Sequence, residues 1–183
     1  DEESEALNDE TLPRNTAAQE SPPNRPIYTI KTMGYSVQGA RHIQQGVPCQ
    51  DAIYITNKEK VVIICAADGH GDRKHARSDE GSKAAVQVTA KLLEEAILEL
   101  VEEKRNHAEI EYALRTHLPR RISWEWNRKV RESNDGAWHP DLVLFGTTII
   151  GAAICGKFAL FVQLGDGDVL LIDQQGNAEM IFQ

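Results

Sequence analysis

Four kinds of pattern are missing from this 183-residue chain, and each absence narrows what it can do. Cysteine is scarce: Cys49, Cys65 and Cys155 lie far apart, and no two form a Cys-x-x-Cys pair. Zinc sites and disulfide frameworks need paired cysteines, so neither is expected. A reduced, cytoplasmic compartment fits best. Cys65 and Cys155 sit in apolar runs and read as core residues. No apolar run approaches the roughly 20 residues of a membrane span, and no signal-peptide pattern opens the sequence. A surplus of base is missing too. The formal net charge is −8; residues 1–26, with seven acids and two bases, carry −5 of it, which leaves −3 on the body. That balance argues against nucleic acid as a partner, because such a surface needs a dense basic patch. Finally, there is no Gly-rich phosphate loop, no Ser-centred nucleophile elbow and no calcium-hand loop.

What is present centres on Val61-Val62-Ile63-Ile64-Cys65-Ala66-Ala67-Asp68-Gly69-His70-Gly71-Asp72. Seven apolar residues stop abruptly at a carboxylate, two glycines and an imidazole. A run this short, rich in β-branched residues and ended by Gly, reads as a buried strand. The turn after it presents Asp68 and His70, and Gly69 and Gly71 leave backbone carbonyls free to face a ligand. Such donors suit a hard cation, Mg²⁺ or Mn²⁺. The alternative is a plain hairpin turn, for which Asp-Gly is a common dipeptide.

One domain with room for a sizeable core is the default at this length. Residues 1–26 are acidic and Pro-interrupted without hydrophobic period, and read as a disordered tail or linker. The domain is placed over 27–183. Residues 28–33 alternate as a strand would. Gly46 and Pro48 mark a loop, and 52–55 a short strand. Paired antiparallel with the Val61 strand, it sets Asp51 and Asp68 on one sheet edge. The basic cluster Arg73, Lys74, His75 and Arg77 reads as the solvated start of a helix. A strong helical period covers about 82–104, with Ala85, Thr89, Leu92, Ala96 and Leu100 on its stripe. A second helix opens at an Asn106/Glu109 capping box and repeats Ile110, Leu114, Leu118, Ile122, Trp126 and Val130. Pro119 should kink it. Trp124 and Trp126 read as core, and His107, His117 and His139 as structural or exposed. Turn signals at 134–136 and His139-Pro140 precede a strand meander with Gly156-Lys157 as a hairpin turn. A second buried strand ends in Gly165-Asp166-Gly167-Asp168. Strands, two long helices, then more strands make an α+β pattern with antiparallel sheets.

Ala67-Asp68-Gly69-His70-Gly71, Gly146-Thr147-Thr148 and Leu164-Gly165-Asp166-Gly167-Asp168, in this order, resemble the metal-dependent protein phosphatase family, type 2C. Gly46-Val47-Pro48-Cys49-Gln50-Asp51-Ala52 and Ser78-Asp79-Glu80-Gly81-Ser82 resemble its bacterial branch. The resemblance covers most of residues 30–182. It implies a four-layer α-β-β-α sandwich, present here in part, and a metal-dependent phosphoserine/phosphothreonine phosphatase using two Mg²⁺ or Mn²⁺ ions and a third, weaker site. It implies that Asp68 bridges the metals, Gly69 offers its carbonyl and Asp51 helps hold the metal's water. His70 matches the general acid, Arg41 the phosphate-binding arginine and Asp166 the third-site acid. Gly146, Thr147 and Thr148 look structural. The implied partners are a phosphorylated protein substrate and a serine/threonine kinase, with no membrane.

Two departures accompany the resemblance. Gln50 stands where the family often has Glu. The family also supplies two further aspartates from motifs beyond a strand like 178–182. A chain that opens on Asp and stops at Gln183 therefore reads as an N-terminal part of the catalytic domain, with its C-terminal part absent. Such a piece is expected to be inactive as a phosphatase and to bind Mn²⁺ weakly. A non-catalytic pseudophosphatase or regulatory module that binds a phosphoprotein or kinase is the competing reading.

Overall fold

The computed structural model describes residues 29–58, 60–102, 107–132 and 140–182. The expected tail, Asn106 and the turn signals at 134–136 and His139 lie outside them. In chain order the elements are α1 (Ala40–Gln45), β1 (Ala52–Lys58), β2 (Val61–Ala67), a 3₁₀ turn (Arg73–His75), α2 (Ser78–Val101) and α3 (His107–Arg131). A second 3₁₀ turn (Leu142–Phe145) leads to β3 (Ile149–Cys155), β4 (Phe158–Leu164), β5 (Leu170–Ile172) and β6 (Ala178–Met180).

The first four strands form one antiparallel sheet in the order β1-β2-β3-β4, and β5-β6 form a second, two-stranded sheet. The architecture is α+β with antiparallel sheets. The apolar runs at 61–67 and 149–155 are the two central strands, as their low polarity requires. Register places Cys65 opposite Gly151 and Gly151 opposite Val162, with Ile63, Ala153 and Leu160 the next row on the same face. That face packs against α2. Ala85, Val86, Leu93 and Ile97 join Ile63, Cys65 and Ala153 in the main core. Leu93 and Ile97 are fully buried, each contributing roughly 1.5–3 kcal/mol relative to exposure. Gly151 is required under the helix, since a Cβ there would come within 2.9 Å of Leu93 and Thr89.

α3 lies on α2 through Val88, Leu92 and Ile122 and through Ala84, Val130 and Phe145. The Trp126 indole donates to the Gly81 carbonyl at 2.9 Å and ties the two helices where α2 begins. The helix runs on through Pro119. The first four N–H groups of a helix have no intrahelical acceptor, but position 119 lies well inside, so packing overrides the lost bond there.

Four expectations are corrected. Residues 29–33 form no strand; the Asn57 side-chain amide donates to the Ile30 carbonyl at 2.9 Å, a side-chain tie in place of a backbone ladder. α2 starts at Ser78 rather than near 82, because buried Ser78, Gly81 and Ser82 fit where larger side chains would not. Trp124 is 62% exposed, with the Arg128 guanidinium over its ring, while Trp126 is half-buried. α1 fills part of what read as a loop, closed by Gly46 at φ 65°. Cys65 and Cys155 are buried as expected, and burial pushes the Cys65 thiol up to about 12. No described helix is long and apolar enough to cross a membrane.

Candidate active site

The β1-β2 ladder begins at Ala52 opposite Ala67, so Asp51 and Asp68 leave the sheet side by side. Their carboxyl groups lie within hydrogen-bonding reach of each other, a bond that forms when one of them is protonated. Both line an open cleft of about 410 Å³, with Asp166 across it and Tyr35, Val37 and Thr148 in its walls. Partial burial, then the hydrogen bond with Asp51 and the charges of Asp51 and Asp166, push the Asp68 carboxyl above the usual carboxylate range. Nearby His70 pulls the other way.

The turn after β2 is held by the segment that enters β3. The Thr148 N–H donates to the Asp68 carbonyl at 2.9 Å, and the Asp68 N–H donates to the Thr148 hydroxyl at 3.2 Å. The Thr147 hydroxyl donates to the same carbonyl at 2.9 Å, Gly69 bridges Thr147, and the His70 N–H donates to the Gly146 carbonyl at 3.0 Å. Gly69 is buried in this turn, and a Cβ there would lie 2.4 Å from the Gln50 carbonyl oxygen and 2.9 Å from that of Ser78. Only glycine fits, because both obstacles are backbone.

Gln50 is buried behind the turn. Its carbonyl accepts from the Ser82 hydroxyl at 2.5 Å, and its Nε2 donates to the His70 carbonyl at 3.4 Å. Its buried Oε1 has no partner among the described residues. A carboxylate at that oxygen would be a buried charge, far costlier than the amide unless a cation met it. The departure from Glu is therefore compatible with the local environment.

Asp166 sits in a turn of another make. Gly165 and Gly167 take φ of 94° and 117°, and the Gln163 side chain donates to both their carbonyls, at 3.1 and 2.7 Å. Asp168 does not line the cleft. Arg41 does not line it either: it lies exposed on α1. The structure thus gathers Asp51, Asp68 and Asp166 at the cleft, sets Gly69 and His70 in the turn that follows Asp68 without either lining the cleft, and leaves Arg41 apart. The basic cluster is only partly solvated. Arg77 makes a bidentate pair with Glu80 at 2.7 and 2.8 Å, and the His75 ring rests against His70. Sequence reasoning passed over that ring contact, along with the Thr147 and Thr148 hydroxyls and Gln163. In the sequence Thr147 and Thr148 read only as structural members of a motif, and Gln163 and His75 have no signal beyond lying near an Asp-Gly turn. A larger groove between α2 and α3, lined by Lys83, Lys91 and Arg128 among others, holds cations already paired with Asp79, Glu95 and Glu125, and no group suited to catalysis.

Carboxylate oxygens and a backbone carbonyl are the donor types Mg²⁺ and Mn²⁺ take. Burial first, and then the neighbouring Asp51 and Asp166, hold the Asp68 carboxyl above the usual range, a setting in which a cation would favour its charged form. Among the described residues, however, no group of three His, Cys, Asp or Glu side chains converges closely enough to hold a metal ion. The donor chemistry fits a divalent cation, and the described acids supply only part of a cage.

Comparison with curated proteins and with solved structures returns no match. The family model of Protein phosphatase 2C, in contrast, matches residues 38–183, a span that holds Arg41, Asp51, Asp68, Gly69, His70 and Asp166. The chain belongs to the protein phosphatase 2C family.

Proposed function

We propose that the chain carries the catalytic residues of a metal-dependent phosphoserine/phosphothreonine protein phosphatase. The observation that supports this most is the Asp51–Asp68 carboxyl pair at a cleft, with Asp166 facing it and an Asp68 carboxyl raised by burial and by its acidic neighbours. Phosphate-monoester hydrolysis is among the slowest uncatalysed reactions, needing up to about 10²¹-fold acceleration, so strong charge neutralisation is required. Asp68, Asp51 and the Gly69 carbonyl would hold Mg²⁺ or Mn²⁺, with Asp166 at a further site. Bound there, such ions activate water and neutralise phosphoryl oxygens.

The protein's own groups do the rest. Asp51 orients the attacking water. His70, exposed beside Asp68, protonates the departing serine or threonine oxygen, a contribution of roughly 10²–10⁴-fold. Arg41, exposed on α1, is the phosphate-binding arginine in this reading, its guanidinium suited to a two-point contact. The substrate is a phosphorylated protein, with a serine/threonine kinase as its natural counterpart, in a cytoplasmic setting. Calorimetry with Mn²⁺, paired with release of phosphate from a phosphothreonine peptide, tests this. In a chain that also carries the family's two further aspartates, turnover that needs Mn²⁺ and vanishes in Asp68→Ala is expected. Mn²⁺-independent turnover would overturn it.

A second reading has its own support, since Arg41 stands outside the cleft and the described acids leave the cage unfinished. In it the domain binds a phosphoprotein or kinase without hydrolysis. Binding of the phosphopeptide with no phosphate release, at saturating Mn²⁺, would favour that module.

A further inference from the structure

His70 has no side-chain hydrogen bond among the described residues, yet a proton donor must be aimed. Its backbone is fixed at both ends, by N–H donation to Gly146 and by the Gln50 amide at its carbonyl. Its ring is restrained by one neighbour, His75, with centroids 4.6 Å apart and planes at 62°. His75 is itself pinned. Its Nδ1 lies 2.5 Å from the Val143 carbonyl oxygen. A carbonyl only accepts, so Nδ1 carries the proton. The 3₁₀ turn that presents His75 is capped by Asp72, whose side chain accepts from the Lys74 N–H and whose carbonyl accepts from the His75 N–H.

Gly146 completes the seat. A Cβ there would fall 2.4 Å from Nδ1 of His75 and 2.7 Å from Nδ1 of His70. The Nδ1 edges of both imidazoles therefore converge on one glycine, in space that any other residue would fill. The same glycine accepts the His70 N–H and donates to Val143 at 3.3 Å.

We propose that His75 is a positioning residue for the reaction, holding the His70 ring in the slot above Gly146 so that its Nε2 edge is the one left to donate to the leaving oxygen. This inference rests on the phosphatase reading above. It assigns His75 no contact with substrate or metal.

The test compares His75→Ala and His75→Phe with the parent chain, in the presence of Mn²⁺, on p-nitrophenyl phosphate and phenyl phosphate. Phenolate is the poorer leaving group and needs the proton more. His75→Ala should lower kcat on phenyl phosphate roughly tenfold or more, with KM unchanged and little loss on p-nitrophenyl phosphate. His75→Phe keeps a ring beside His70, and Val143 still accepts from Gly146, so it should recover most of that loss. In a His70→Ala background, His75→Ala should cost nothing further. Equal losses on both substrates, or the same loss with and without His70, would overturn the proposal and leave His75 a merely structural residue.

A second arm needs no turnover. In the metal-free chain, nitrogen-15 and proton resonances of the His70 ring should shift in His75→Ala and stay nearer the parent positions in His75→Phe, while those of His117 stay put. An unmoved His70 ring would overturn the proposal whatever the kinetics show. Inertness with Mn²⁺ of a parent that carries the family's two further aspartates would overturn the phosphatase reading instead, and the resonances would still decide whether His75 holds the ring.

Discussion

Asp68-Gly69 follows the central strand β2, and Asp166-Gly167 follows β4, which among the described residues has a strand on one side only. The two turns look alike in sequence and are built by opposite means. The first keeps ordinary backbone angles and is splinted by Gly146, Thr147 and Thr148 from across the sheet. The second relies on left-handed glycines and on Gln163, a neighbour only a few residues away. A central strand has flanking chain on both sides to brace what comes after it, whereas an edge strand must brace its own turn. Asp68 is thus held by long-range order and Asp166 by local chemistry.

The difference can be tested by breaking each turn. The largest effect should come from the acids. Asp68→Ala is expected to lower metal-dependent phosphate release at least about 1,000-fold, and Asp166→Asn only about tenfold, measured on a phosphothreonine peptide across a Mn²⁺ titration. Comparable losses from both would mean that the two turns contribute equally.

Next in size are the glycines. Gly69→Ala drives a Cβ into two backbone oxygens and should cost about 3 kcal/mol in urea unfolding. Gly165→Ala meets the Thr148 methyl at 2.7 Å and an unfavourable φ, and should cost about 1–2 kcal/mol. A reversed order would put the stronger constraint on the edge turn.

A smaller step is Thr148→Val, which keeps the buried shape and removes the acceptor of the Asp68 N–H. About 1–2 kcal/mol of stability should go with it. Gln163→Leu, in the half-exposed edge turn, should cost less than about 1 kcal/mol. Equal costs would argue that the cross-strand splint adds nothing special.

The smallest effect concerns charge. The Asp68 carboxyl is raised in the folded chain, so its protonated form is favoured there, and stability from this group is fullest in acid and falls as pH rises through the raised value. Asp68→Asn should therefore melt slightly higher than the parent near neutral pH without metal, on the order of 1–3 °C. The gap should close as the pH falls below the ordinary Asp range near 4. A gap that widens in acid would contradict the cause assigned to the shift.

The central strands were legible because seven-residue apolar runs ended by Gly leave few alternatives, and the pairing of Asp51 with Asp68 followed from two strands and one short turn. The stripe of α2 was legible too, since Leu93 and Ile97 repeat at helical spacing. Its first turn was not. Ser78 to Gly81 has no apolar period, and it is helical because a small-residue patch fits against Phe145: a Cβ on Gly81 would lie 1.9 Å from the Phe145 carbonyl oxygen. The 3₁₀ turn at Leu142–Phe145 was hidden for the same reason, being set by partners far along the chain. Three carboxylates of the site could be named from motifs. The hydroxyls of Thr147 and Thr148, and the ring of His75, could not be given partners until the folded chain brought 143–148 under the turn.

That splint also sets an order in time. The hydrogen bonds between Asp68 and Thr148 join residues 80 apart, with both long helices in the intervening chain. The β1-β2 and β3-β4 hairpins and the α2-α3 pair each close over a short span and can form early. The cleft cannot: its walls meet only when β3 docks along β2, after the entropy of a long loop has been overcome. A chain caught midway would hold much of its secondary structure while Asp68 still lacked its cross-strand partner. Pulse-labelled hydrogen exchange should accordingly find the Asp68 amide protected after the amides within β4, and simultaneous protection would show that the sheet condenses in one step.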